Sequence, residues 1–451
     1  MSDAVQTLGS LLPEIRVPPP GPVSREMAKR LARVESRNVT YVDEGWPVFW
    51  EDARGANVRD ADGNVYIDMT SAFGVALLGH RSPTLEFALR HHTLVHGMGD
   101  IHPPVKKLEL LERLARMAPW DDARIVLANT GSEAVEAALK TAALASGRPG
   151  VLAFDGGYHG LTLGALSVTR RDHFRAPFAD RVYGGVAFAP FPDTVRDEEP
   201  GGAVSLRRVD ELLREGAPNG DPIGTIIVEP VQARGGARVP PEGFMAALSD
   251  LAAEHAVLII ADEIFTGAGR CGSMFASDRV GLRPDVVCVG KALGAGLPLS
   301  ACMAPARIMD AWPASTGEAI HTSTFLGHPL ACTAALAVLD SFDVDAVPGR
   351  AERVGQEIVA GLRSRLDDCD RVAEVRGLGL LLGVELVEAD GRTPAAGAGA
   401  RIAERALGEG ILVLPAGDHG EVLELSPPIV LTTQQIDYAL DTLATLILEG
   451  A

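Results

Sequence analysis

Short runs rich in valine and isoleucine alternate with helix-like stretches through the middle of the chain. The runs read RIVLAN, VLAFDG, GTIIVEPV, VLIIADEI and VVCVGK, at 124–129, 151–156, 224–231, 257–264 and 286–291. Helix-like segments such as SEAVEAALKTAALASG and PPEGFMAALSDLAAEHA lie between them. Apolar strands separated by helices are typical of a mainly parallel sheet with helices on its faces. The pattern predicts an α/β fold, in which ligands bind beyond the carboxyl ends of the strands.

The two chain ends have a different pattern. Residues 47–69 alternate apolar and polar positions around Asp62-Gly63, which is typical of a β-hairpin. From about residue 336, helix-like segments mix with short apolar strands and end in the helix-like TQQIDYALDTLATLILEG. We therefore predict three regions. They are an N-terminal arm with part of a small domain (1–75), a large domain (76–335) and a C-terminal small α+β domain (336–451).

Composition narrows the possible functions. Hydrophobic residues make up 47% of the 451 residues, enough for a sizeable core, and the formal net charge is -19. This charge argues against nucleic acid or an anionic membrane surface as the main partner, because both are polyanions. The five cysteines form no CxxC pair, and the histidines at 80, 96, 102 and 159 share no metal-ligand spacing, so we expect structural or loop roles for these histidines and no metal site. With no signal-peptide pattern and no apolar run of about 18 residues, we expect a cytoplasmic protein that is not bound to membranes.

Polar and aromatic residues lie at or just after the ends of four of the predicted strands. In chain order they are Thr130-Gly131-Ser132, Tyr158, Asp262 and Lys291. The first group is a small-residue turn into a helix, where we expect Ser132 to be the cap and the free NH groups to suit a phosphate. Each residue alone has an ordinary structural interpretation, as a helix cap, a packed loop residue or a strand end. Together, a primary amine, a buried acid, an aromatic ring that can cover a planar ligand and a helix start that can bind a phosphate match the requirements of pyridoxal 5'-phosphate.

Over these motifs the chain resembles the class III (subgroup II) aminotransferases, which are fold type I pyridoxal-phosphate enzymes. The resemblance runs from about Pro47 to Leu448 and includes GSEAVEAA, GGYHG, IIVEPV, LIIADEIFTGAGR, VGKALGAGLPLSA, TSTFLGHPLACTAALAVL and LSPPIVLT. It implies a large domain with a mainly parallel, seven-stranded type of sheet, and a small α+β domain built from both chain ends. It also implies a homodimer or higher oligomer with the active site at the subunit interface.

The resemblance assigns roles to the matching positions. The implied cofactor-binding residues are Thr130, Gly131, Ser132, Tyr158, Glu229, Asp262, Ile264, Lys291 and Thr324. Lys291 is implied as the Schiff-base lysine and proton carrier, and Asp262 as the partner of the pyridine nitrogen. The ring is expected between Tyr158 and Ile264, with Glu229 behind the residues that contact it. Thr324 is expected to reach the phosphate held by the other subunit.

Four positions depart from the family pattern and bear on the substrate. Many members that act on α-amino acids or 4-aminobutyrate have a carboxylate-binding arginine where this chain has Glu424. Five residues after Glu229, where those members have a glutamate, this chain has Arg234. The exchange predicts one of three arrangements: a reversed pair that leaves Arg234 able to meet a substrate carboxylate, a fixed salt bridge, or a surface position for Glu424. Leu161 and Phe265 replace an arginine and a glutamine, which makes the site more apolar.

The resemblance implies a ping-pong transfer of an amino group to an oxo acid, such as pyruvate or 2-oxoglutarate. The apolar departures favour an amino acid with an apolar side chain, a β- or ω-amino acid or an amine as donor. Racemases or epimerases, aminomutases, decarboxylases and phospho-lyases remain alternatives, because they share the scaffold in this family. A catalytically silent protein is disfavoured by Lys291 and Asp262. A dehydrogenase is disfavoured because GLGLLLG at 377–383 lies in a strand pattern with no helix start after it.

Overall fold

The structure, a computed structural model, describes residues 7–92, 96–344 and 346–450. Residues 1–6, 93–95, 345 and 451 of the three predicted regions lie outside the described residues. The strands are β1 (Trp50–Arg54), β2 (Asn57–Asp60), β3 (Val65–Asp68), β4 (Ala123–Ala128), β5 (Gly150–Phe154), β6 (Val186–Ala189), β7 (Ile223–Val228), β8 (Leu258–Glu263), β9 (Val286–Val289), β10 (Ser300–Pro305), β11 (Val372–Leu378), β12 (Leu381–Leu386), β13 (Ile411–Leu412), β14 (Leu414–Ala416) and β15 (Val422–Leu425). The helices are α1 (Pro22–Val34), α2 (Ser71–Gly74), α3 (Pro83–Arg90), α4 (Val105–Met117), α5 (Gly131–Ser146), α6 (Leu163–Val168), α7 (Asp172–Arg175), α8 (Ala203–Glu215), α9 (Phe244–Glu254), α10 (Ser277–Val280), α11 (Ala306–Met309), α12 (Pro329–Val344), α13 (Val347–Leu366), α14 (Ala398–Gly408) and α15 (Thr433–Leu448).

A seven-stranded sheet forms the centre of the molecule, in the order β4-β10-β9-β8-β7-β5-β6. The strands from β9 to β6 in this order are parallel, whereas β10 is antiparallel to both of its neighbours. All residues of β5, β7 and β9 are buried, as expected for strands that are covered on both faces. The predicted α/β fold with a mainly parallel sheet is confirmed, and the five predicted strands are all present.

Helices cover the two faces of this sheet and form the core with it. On one face the rings of Phe154, Phe191 and Phe244 pack edge to face, with centroids 5.8 to 6.5 Å apart. On the other face the buried alanines of α5 pack on the sheet, where the Cys288 thiol donates to the Ala134 carbonyl at 3.5 Å. Helix α5 is thereby fixed on the strands, and its first residues lie at the carboxyl end of β4.

Two smaller sheets are built from the chain ends. The predicted hairpin is present, because β2 pairs with β3 around a turn in which the Gly63 NH donates to the Asp60 carbonyl at 3.0 Å. Strand β13 adds to the same sheet in parallel with β3, which joins residues from both ends of the chain. The second sheet is antiparallel, in the order β11-β12-β15-β14. The domain boundaries stay a prediction, and the boundary proposed at 335/336 falls inside α12.

The described residues were compared with the requirements of a membrane-spanning helix, a metal site and a disulfide. Within 7–92, 96–344 and 346–450, no helix combines the length and the apolar character that crossing a bilayer requires. In the same part of the chain, no three histidine, cysteine, aspartate or glutamate side chains are grouped to hold a metal ion. The five cysteines are free thiols.

Candidate active site

A pocket of about 740 Å³ opens beyond the carboxyl ends of the central strands. The predicted site residues that line it are Thr130, Gly131, Ser132, Tyr158, Glu229, Arg234, Asp262, Ile264, Phe265 and Lys291. Apolar side chains that the sequence did not single out also line it, among them Val39, Phe73, Val75, Phe174 and Leu297. The turns after β4, β5, β7, β8 and β9 therefore meet at one site, as the strand-end argument predicts.

Lys291 lies two residues beyond β9, whereas the sequence pattern predicts it at the last position of the strand. It begins the short 3-10 turn Lys291–Gly294 with a φ of 41°, a left-handed conformation that residues with side chains rarely adopt. Its Nζ lies 4.3 Å from the centre of the Phe265 ring. The side chain borders the pocket and is otherwise enclosed by protein, and this burial lowers the pKa of Lys291 although Asp262 opposes the shift. A lowered pKa increases the neutral fraction of the amine, which is its nucleophilic form.

Asp262, at the end of β8, is buried and held by two partners. Its Oδ2 lies 2.7 Å from Nδ1 of the buried His159, and its Oδ1 accepts from the Ile264 NH at 3.0 Å. Burial disfavours a charged His159, but the hydrogen bond and the charge of Asp262 outweigh it, so the pKa of His159 is raised. The imidazole therefore fixes the orientation of the carboxylate. Sequence analysis gave His159 only a structural or loop role, because its partner is 103 residues away and no local pattern joins them.

The N-terminus of α5 forms one wall of the pocket. Thr130 caps this helix, since its Oγ1 accepts from the Glu133 NH at 3.2 Å. The prediction that Ser132 is the cap is wrong, because the helix begins at Gly131 and Ser132 lies in its first turn. The Ser132 Oγ instead accepts from the Leu161 NH at 3.1 Å. The first NH groups of a helix have no partner within it, so this end can receive an anion.

Tyr158 and Glu229 join two loops beside the pocket. The Tyr158 NH donates to Glu229 Oε1 at 3.0 Å, and the Ala233 NH donates to Oε2 at 3.1 Å. The Tyr158 ring packs edge to face on Phe174, with centroids 5.7 Å apart. Burial raises the pKa of Glu229 to about 7. Glu229 therefore fixes the loop that presents Tyr158 against the loop that follows β7.

The residues predicted to contact the substrate are only partly brought together. Arg234 Nη1 and Glu424 Oε2 are 3.9 Å apart, and the side chain of Glu424 is 1% exposed, so a surface position for Glu424 is wrong. Phe265 is buried against the backbone of Gly74, where an added Cβ would lie 2.8 Å from the ring. Leu161 is exposed and lies outside the lining described above. Its contact with substrate stays a prediction.

These groups fit pyridoxal 5'-phosphate. The amine of Lys291 would hold the cofactor's carbonyl carbon, and the carboxyl group of Asp262 would pair with the ring nitrogen. Tyr158 and Ile264 would contact the ring, and the start of α5 would receive the phosphate. The approach of α5 to Ile264 needs a glycine at 131, because a Cβ there would lie 2.8 Å from Ile264 Cγ2. The fold and this set of groups define a fold type I pyridoxal-phosphate enzyme.

Comparison with known proteins identifies the family. The family described as "Aminotransferase class-III" matches residues 40–447. A 4-aminobutyrate aminotransferase of Mycobacterium leprae is 35% identical, over 95% of this chain and 96% of its own. An alanine/serine racemase of Pyrococcus horikoshii is 30% identical, over 95% of this chain and 91% of its own. The solved PLP-bound amine transaminase of an uncultivated Pseudomonas species superposes with a TM-score of 0.83 at 29% identity, over 93% of this chain and 99% of that chain.

The chain belongs to the class III aminotransferase family. It is a pyridoxal-phosphate-dependent aminotransferase, and the resemblance stated from its sequence motifs is confirmed.

Proposed function

We propose that this aminotransferase moves the amino group of an apolar amino acid, a β- or ω-amino acid or an amine to an oxo acid. The observation that carries the proposal is the amine of Lys291, whose pKa is lowered, in one pocket with the carboxyl group of Asp262 and with apolar walls. The apolar side chains of Val39, Phe73 and Phe174 support a donor whose substituent is itself apolar. Pyruvate and 2-oxoglutarate are the proposed acceptors.

Each residue has a distinct task in this proposal. Bound pyridoxal phosphate supplies an electron sink for the carbon that loses a proton. Lys291 takes that proton on Nζ and returns it to a neighbouring carbon, and its lowered pKa favours the neutral amine that accepts the proton. Asp262, oriented by His159, keeps a ring nitrogen protonated. Tyr158 and Ile264 hold the ring, and the start of α5 orients the phosphate.

We also propose a homodimer with the active site at its interface, in the cytoplasm. Exposed Met98, Ile101 and Phe325 support it, because the segments that carry them are in contact through Gly99 and Leu326. An apolar cavity of about 270 Å³ beside the pocket is lined by Phe325 and shares Asn129, Leu297 and Pro298 with it. Both features would be covered by a second copy.

Thr324, next to Phe325 in the chain, is exposed, so it is free to reach a phosphate held by the second subunit of the proposed dimer. Sedimentation equilibrium should give twice the chain mass or a higher even multiple of it, and Thr324→Val should weaken pyridoxal-phosphate binding. A monomer with unchanged cofactor affinity in Thr324→Val would refute the proposed active site at a subunit interface.

Nitrogen transfer tests the proposed reaction. A donor amine labelled in its nitrogen is incubated with the holoenzyme and pyruvate, and alanine is analysed by mass spectrometry. The proposal predicts labelled alanine with the wild type and none with Lys291→Ala. The second candidate is a racemase, which the similarity to the alanine/serine racemase favours. It predicts inversion of an amino acid without transfer of label.

A further inference from the structure

The amine of Lys291 lies over the ring of Phe265. Its Nζ stands 4.3 Å from the ring centre, inside the distance of about 6 Å at which an aromatic face attracts a cation. Among the described residues, Nζ has no hydrogen bond and no ion pair. The face of the Phe265 ring is therefore the contact through which the fold holds this amine.

The position of the Phe265 ring is fixed by its neighbours. Phe265 lies in the turn after β8 and is 5% exposed. Gly74 is in close contact with the ring, because an added Cβ at this glycine would lie 2.8 Å from Cε1 of Phe265. The ring shares a buried apolar cluster with Val231, Ala233, Ala237, Cys271, Ala276 and Leu381. A close-packed ring of this kind presents a constant surface to Nζ.

The surroundings of Lys291 act on its protonation in opposite directions. Burial has the largest effect, and it disfavours the ammonium and lowers the pKa of Lys291. The charged groups that act on the amine are Asp262, Glu229 and Glu424, which favour the ammonium, and Arg234, which disfavours it. An aromatic face attracts the ammonium much more than the neutral amine, so it acts in the same direction as the carboxylates. Unlike a hydrogen-bonded carboxylate, it has no acceptor atom that competes for the proton.

We propose that Phe265 is a positioning residue, whose ring face holds the ammonium of Lys291 while the lysine carries a proton. The inference rests on the proposed function, in which Lys291 takes a proton from one carbon and returns it to another. Between these two events the ammonium needs stabilisation, yet its proton must stay free to leave. The ring meets both needs, because its attraction depends on the charge alone. Weakening the negative face of the ring should therefore slow proton transfer and leave substrate binding nearly unchanged.

The protonation of Lys291 can be measured without turnover. The chain has five lysines, so labelling lysine with carbon-13 at Cε should give five NMR signals, and Lys291→Arg identifies the signal of Lys291. The holoenzyme is loaded directly with pyridoxamine 5'-phosphate, which leaves the amine of Lys291 free. A pH titration of the Cε signal then gives the pKa of Lys291 in the full chain.

Fluorination of Phe265 tests the ring face while nearly preserving the shape of the ring. With 3,4,5-trifluorophenylalanine in place of Phe265, the pKa of Lys291 should fall by about 0.5–1, as expected for a partly lost cation–π contact. The matched control is the same replacement at Phe275, a buried ring in the segment that follows β8, which should leave this pKa unchanged. An unchanged pKa in the protein fluorinated at position 265 would overturn the inference.

The amine half-reaction supplies a second test, with benzylamine as donor and absorbance as the readout. In the protein fluorinated at position 265, the maximal rate should fall about 3- to 10-fold, while the benzylamine concentration at half-saturation should change less than about twofold. Deuterium at the carbon that loses its proton should slow this protein more than the wild type. A higher half-saturation concentration with an unchanged maximal rate would overturn the role in proton transfer and indicate a substrate contact instead.

Failure of the proposed function would be recognised separately. In that case no amine or amino acid converts the wild-type pyridoxal form to the aminated form. The NMR titration still judges the contact between Phe265 and Lys291, because it uses the directly loaded holoenzyme. A lower pKa on fluorination at position 265, and not at position 275, supports the contact, and equal pKa values in the two proteins refute it.

Discussion

Gly74→Ala should destabilise the protein, because an added Cβ would overlap the ring of Phe265. Gly74 has a φ of +82°, and an alanine Cβ would lie 2.8 Å from Cε1 and 3.0 Å from Cζ of the Phe265 ring. The backbone cannot easily withdraw, because the Gly74 carbonyl accepts from Nη2 of the fully buried Arg270 at 3.1 Å. A left-handed alanine costs roughly 1–2 kcal/mol, and overpacking adds roughly 1–3 kcal/mol. We expect the free energy of unfolding to fall by about 2–5 kcal/mol.

Urea unfolding of the variants separates the two contributions. Gly391→Ala is the matched control, since Gly391 has a φ of +69° and an added Cβ would have no neighbour within 4 Å. It should lose only the backbone contribution of about 1–2 kcal/mol. Adding Phe265→Leu to Gly74→Ala should remove most of the excess over this control. If Gly74→Ala costs no more than Gly391→Ala, the ring is not packed against Gly74 and the reasoning is refuted.

Three further predictions concern buried ionisable groups. His159→Phe should weaken pyridoxal-phosphate binding about 10-fold or more in an absorbance titration, because Asp262 loses a charge-assisted hydrogen bond, whereas His173→Phe at an exposed position should not. Glu263→Gln should lower the free energy of unfolding by about 3 kcal/mol in urea, because this buried carboxylate accepts from two backbone NH groups and two hydroxyls. Glu229 has a folded pKa of about 7 against an ordinary value of 4.5, so its cost to stability is absent below pH 4.5 and grows as pH rises to 7. Glu229→Gln should therefore gain stability relative to the wild type between pH 5 and pH 8, and no change in that difference would contradict the raised pKa.

The sequence pattern predicts the strands that are strongly buried. It does not predict strands that are short or polar. Five central strands follow from apolar runs that can only be buried on both faces. Strand β10 (Ser300–Pro305) was not among them, because SACMAP mixes small, polar and proline residues. Its antiparallel direction comes from the glycine-containing turn after Lys291, where Ala295 and Gly296 have positive φ. Such a reversal depends on individual backbone angles, and hydrophobic pattern does not report those.

The site was predictable as a set of strand ends and less so in its contacts. The carboxyl ends of neighbouring parallel strands must meet, so the grouping of Asp262 with Lys291 follows from the fold class. His159 could not be paired with Asp262, because the contact depends on three-dimensional packing. Thr130 and Ser132 both carry hydroxyls near the helix start, and a shift of two residues in that start decides which one is the cap.

The central claim is tested most directly by a single half-reaction. The wild-type pyridoxal form is mixed with one amine or amino acid at a time, of either hand and without an oxo acid, while absorbance and the chirality of the substrate are followed. The account predicts loss of the pyridoxal absorbance, formation of the aminated cofactor and release of one oxo product per site. It would be contradicted if the amino acid changed hand while the cofactor stayed in its pyridoxal form.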